Sequence, residues 1–150
     1  MKLVTIQWKG VLDILNQQGI YHASYGYGYR QYIAQYQNLA DYCNFSYCPI
    51  FCAPEDDTTA IESSGIKEDN EHIKIYLEIP ESRCIEMDYY EWSDYLYYSS
   101  GEEYDSYFNF NEEEALANID KYIKLGQSHT SQICIQEIYQ SDIIEIEELK

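Results

Sequence analysis

Apolar and polar positions along the chain mark out a series of short elements. Leu3 to Ile6 alternates weakly and predicts a first strand. Trp8, Val11, Leu12 and Leu15 follow at i, i+3, i+4 and i+7, the stripe of an amphipathic helix that Gly19 ends. Ile20 to Ala23 returns to the core. The segment Tyr25-Gly26-Tyr27-Gly28-Tyr29-Arg30 reads as a connection into a second helix, with Tyr29, Tyr32, Ile33, Tyr36, Leu39 and Ala40 on one face. Tyr47 to Cys52 predicts a compact aromatic strand in which Pro49 points to an edge or a bulge. Glu55 to Glu71 is polar, contains Gly65 and shows no period, so it reads as the longest loop.

The second half is clearer. Ile73 to Ile79 alternates cleanly and Pro80 stops it. Cys84 to Met87 predicts a short strand leading into a helix around Tyr90 to Tyr98. Asn111 and Glu114 form an N-cap pair ahead of Leu116, Ile119, Tyr122 and Ile123, and Gly126 closes that helix. Gln132 to Tyr139 and Ile143 to Ile146 read as the last strands. Strands and helices interleave without a βαβ repeat, which predicts an α+β fold: a small mixed, mainly antiparallel sheet with about four short helices packed on it. The 150 residues suit one acidic domain spanning 1–150.

No apolar run approaches the roughly 18 residues that cross a bilayer, so no membrane span is expected. The N-terminal residues read as a strand and not as an export signal. Without such a signal, Cys43, Cys48, Cys52, Cys84 and Cys134 are expected to be reduced thiols of an intracellular protein. The first three are spaced Cys-x4-Cys and Cys-x3-Cys, which lacks the close pairs of a structural zinc site, and Cys43 and Cys52 read as small core hydrophobes.

Charge changes the picture more. The chain carries 27 acidic against 9 basic residues, a formal net charge of −18, which disfavours direct binding to nucleic acid and to anionic membranes. A basic surface would be attracted instead. From Glu86 to Asp120 there is no Lys or Arg. Glu86, Asp88, Glu91, Asp94, Glu102, Glu103, Asp105, Glu112 and Glu113 there alternate with aromatic residues that include Trp92, Tyr95, Tyr98 and Tyr104. Carboxylates mixed with amphipathic rings make a candidate partner-binding surface. The plainer alternative is that the acidity serves solubility and the tyrosines fill a core. No phosphate loop, His-Glu-x-x-His helix, calcium loop or nucleophile elbow is present, and no cofactor or metal is expected.

Three blocks carry a likeness: Lys2 to Gln7 with Leu12 and Gly19; Leu77-Glu78-Ile79-Pro80 through Cys84 to Asp88 and Trp92; and Gln132 to Ile146. Together they resemble a bacterial and phage domain family of unknown function. A second likeness is to compact ADP-ribosyltransferase folds. It implies Thr5 or Gln7 at the first nicotinamide-pocket position and Glu137 as catalytic glutamate, although Leu3 to Gln7 lacks the usual His or Arg. The leading expectation is a cytoplasmic, non-enzymatic inhibitor in a bacterial host. Its acidic surface would mimic nucleic acid and block a basic nucleic-acid-binding protein or defence nuclease complex, as an anti-CRISPR protein does. The alternative is an ADP-ribosyltransferase-like domain that uses, or once used, NAD.

Overall fold

The computed structural model describes residues 1–25, 32–62, 70–100 and 112–149. Eight strands are β1 (Lys2–Trp8), β2 (Ile20–Tyr21), β3 (Ile50–Pro54), β4 (His72–Glu78), β5 (Ile85–Asp88), β6 (Ser131–Ile135), β7 (Ile138–Tyr139) and β8 (Ile143–Glu148). The helices are α1 (Gly10–Gln18), α2 (Ile33–Tyr42), α3 (Thr59–Glu62), α4 (Tyr89–Ser99) and α5 (Glu112–Ala117). Six strands form one sheet in the order β5-β6-β3-β1-β4-β8, and β2 pairs with β7 apart from it. Every pairing between these strands is antiparallel, so the fold is α+β.

Period-two alternation sends neighbouring side chains to opposite faces, and both faces are covered. Leu3 packs with Val11 and Leu15 of α1, whereas the adjacent Val4 packs with Ala60 and Ile61 of α3. Ile133 and Ile135 belong to the first cluster, while Cys134 between them meets Leu39 of α2 and Trp92 and Tyr95 of α4. Helix α1 stops where Gly19 takes φ 75°, with its N–H on the Leu15 carbonyl. That left-handed turn suits glycine.

Several expectations are corrected. Trp8 ends β1 instead of opening the helix stripe, and it is 48% exposed. Strand β3 is interior, not an edge, because Pro49 precedes the ladder that begins at Ile50 and costs it no N–H there. The span read as the longest loop contains α3, whose Ala60 and Ile61 are buried; residues 63–69 lie outside the described residues. Most of the Gly/Tyr segment and Asn111 also lie outside them. The helix expected through Ile123 is broken at Asn118, whose side-chain amide donates to the Glu114 carbonyl, and a 3-10 turn, Ile119–Lys121, follows. Gly126 adopts φ 82° and donates to the Glu86 carbonyl, so it shapes a turn and does not cap that helix. Gln132 to Tyr139 is two strands, β6 and β7, in different sheets.

Candidate functional site: an acidic surface and an aromatic cleft

The acidic stretch divides in two. Glu86 on β5 accepts hydrogen bonds from the Ser128 and Ser131 hydroxyls at 2.9 and 3.2 Å. Asp88, 7% exposed, caps α4 through the N–H groups of Tyr90 and Glu91 and also accepts those of His129 and Thr130 at 2.8 and 2.9 Å. Desolvation is the largest single influence on its carboxyl and pushes the pKa up. The four backbone donors together outweigh it and hold the group below its ordinary 3.8. Glu91 accepts the Lys124 N–H at 3.2 Å. These three carboxylates fasten the segment ahead of β6 onto β5 and α4.

Asp94 and Glu113 are exposed. Asp94 is shifted upward by desolvation and then by the charge of Asp88. Tyr98 is half-buried against Tyr97 and Tyr122. Glu102, Glu103, Tyr104 and Asp105 lie outside the described residues, as does the side chain of Glu112. The aromatic residues of the stretch are partly core: Trp92 is 4% exposed and Tyr95 0%, whereas Tyr90 is open to solvent at 54%. The two ion pairs between described residues both belong to Arg83, with Asp142 at 2.9 Å and Glu137 at 4.0 Å. Asp94 and Glu113 therefore carry charge with no cationic partner among the described residues.

A second acidic group was not legible as one in the sequence. Glu145 and Glu147 point to one side of β8, at the sheet edge, and meet Tyr76 of β4. The Tyr76 hydroxyl donates to Glu147 at 2.9 Å. That bond, then desolvation, then the charges of Glu147, Glu145 and Glu55 raise its pKa. The i, i+2 glutamates in a strand pattern were the available signal. Charged side chains on an edge strand also guard it against pairing with other chains.

A cleft of about 710 Å³ opens between the end of β1, the start of β3, and helices α2 and α4. Its floor is aromatic: Tyr36, Phe51 and Trp92 pack with ring centroids 5.3 to 5.8 Å apart. Gln132, 4% exposed, lines the same cleft and donates its amide N–H to Met87 Sδ at 3.2 Å. Trp8 also lines it, and the indole lies so close over Gly10 that any side chain at position 10 would collide with it. Sequence reading missed this cleft because its walls come from scattered elements.

Gln7 lines this cleft, but Glu137 lines a separate one of about 230 Å³ beside Arg83. The two share no described lining residue. Thr5 is fully buried, its hydroxyl donating to the Phe51 carbonyl at 2.7 Å. The structure thus does not bring the pair expected of a transferase into one site. Cys43 and Cys52 are buried in different core clusters, and burial pushes their thiols up to about 12. Among the described residues no group of three or more His, Cys, Asp or Glu is placed to hold a metal. No helix among them is long and apolar enough to cross a membrane. The chain matches no known protein-family model, curated protein or solved structure.

Proposed function

We propose that this domain is a non-enzymatic binding protein whose acidic surface occupies the basic, nucleic-acid-binding cleft of a partner. Its natural setting is the cytoplasm of a bacterial host, where it would inhibit a defence nuclease in the manner of an anti-CRISPR protein. The observation that carries this reading is the uncompensated charge: Asp94 and Glu113 face solvent with no ion pair to a described residue, in a chain of net charge −18. Such a field raises the encounter rate with a cationic surface and repels nucleic acid itself.

The test is capture of host proteins on the tagged chain, washed at low and high salt, beside the variant Asp94→Asn/Glu113→Gln/Asp120→Asn. A basic nucleic-acid-binding partner should be held at low salt and shed at high salt. The variant should bind it about fivefold more weakly at low salt, with a flatter salt dependence, since three exposed charges contribute roughly 1 kcal/mol together. Equal retention of wild type and variant at every salt concentration would sink the reading. A dose-dependent rise in melting temperature with NAD would favour the transferase alternative instead.

A further inference from the structure

Gln132 gives the cleft a buried polar group with half of its hydrogen bonding unused. The residue is 4% exposed, and its amide nitrogen is spent on Met87 Sδ at 3.2 Å. A thioether accepts and cannot donate, so it is the nitrogen and not the oxygen that faces it. The carbonyl oxygen takes no hydrogen bond from a described residue, yet it is not sealed in the core as the Gln35 oxygen is, because Gln132 lines the cleft. A ligand entering the cleft meets this open acceptor, and an N–H group satisfies it. The strand register sets what lies beside it. Phe51 pairs with Cys134, two residues along β6 from Gln132, so Phe51 and Gln132 share a face as diagonal neighbours, roughly 7–8 Å apart. Phe51 is half-buried and also lines the cleft, with Tyr89, Ser93 and Leu96 of α4 along one wall. A planar ring laid against Phe51 therefore turns an edge toward Gln132.

Charge and burial narrow the ligand class. A net charge of −18, with no Lys or Arg among the described lining residues, disfavours an acid or a phosphate. A cationic group reaching Gln132 would leave water at a residue 4% exposed, which costs far more than moving a neutral N–H there. We propose that the cleft binds a free, uncharged molecule built on a fused two-ring aromatic that donates one N–H and has no ring acceptor, indole being the simplest. The ring lies against Phe51 and its N–H donates to the Gln132 carbonyl oxygen. A ring acceptor would add a further polar group to desolvate. The volume of about 710 Å³ leaves room for an uncharged substituent. This site goes beyond the acidic-surface reading and does not depend on it.

The full chain is titrated calorimetrically with indole, 1-methylindole and benzothiophene, which share a shape but differ in the N–H. Indole should bind saturably, at least fivefold tighter than either analogue, and raise the melting temperature with dose. Gln132→Met keeps an unbranched side chain of similar length without the oxygen, and should bind all three within twofold of one another. Ser93→Phe, at a half-buried wall position, fills the cleft and should weaken all three at least fivefold. Because the comparison is between ligands on one variant, a loss of stability alone cannot imitate it, and unliganded melting curves confirm that each variant is folded. No saturable binding of indole to the wild type, equal binding of indole and 1-methylindole, or a preference for indole that survives Gln132→Met overturns the proposal. A last arm compares 3-methylindole with acetyl-tryptophan-amide. At least equal affinity for 3-methylindole supports a free ligand, and tighter binding of the amide overturns it in favour of a tryptophan side chain.

Discussion

A single side chain shows how far the acidic reading holds. In the sequence Asp88 is one more carboxylate in an acidic run; in the fold it is a buried acceptor for four backbone N–H groups. Asp88→Ala should destabilise the protein by about 2 kcal/mol in urea denaturation, combining a lost helix cap with orphaned donors at 129 and 130. Because folding lowers its pKa from 3.8, its contribution is complete above that value. It is lost as pH falls through the lower folded value, so the gap between wild type and Asp88→Asn should close in acid. The thiols give a second test. Burial raises Cys43 and Cys52 to about 12 and Cys48 to about 11, and Cys134 well above its ordinary value. Iodoacetamide at pH 8 should leave these four intact by mass spectrometry, with slow reaction confined to half-buried Cys84; in urea all five should react.

At the scale of elements, the local signals succeeded where one segment decides its own conformation. The alternation of β4 puts Ile73, Ile75 and Leu77 on one buried face, and α1 ends at Gly19 as the stripe indicated. They failed where a distant group intervenes. Nothing in Gln132 to Tyr139 reveals that the strand breaks. Arg83, about fifty residues away, donates to the Glu137 carbonyl and to both Asp142 carboxylate oxygens, and lies 4.8 Å over the Tyr139 ring. Asp142 in turn accepts the Tyr139 N–H at 2.8 Å. This bracket holds the corner between β7 and β8. Arg83→Ala should cost about 2 kcal/mol, the range for charged hydrogen bonds, and Arg83→Lys should recover little because the forked geometry is lost. Hydrogen exchange should accelerate first at Ile138 and Tyr139, the residues that pair with β2.

For the whole molecule, charge is the dominant quantity. With −18 held on one chain, self-repulsion opposes folding, and salt should relieve it. The melting temperature should rise by several degrees between 10 mM and 300 mM sodium chloride, as the screening length shortens from about 30 Å to well below 10 Å. A flat or falling curve would mean that the acidic groups are compensated in the folded state. The sequence by itself determined the net charge, the α+β class and the positions of β1, α1, β4, β5, α4 and β8. Those depend on composition and on periodicity within short windows, and neither needs distant partners. Only the tertiary structure decided which carboxylates are spent on internal hydrogen bonds and which face outward. It turned Trp92 and Tyr95 into core and left Trp8 half-exposed. It also separated Gln7 from Glu137 and assembled an aromatic cleft from β1, β3, α2 and α4. Those outcomes depend on contacts between residues far apart along the chain, which no local pattern encodes.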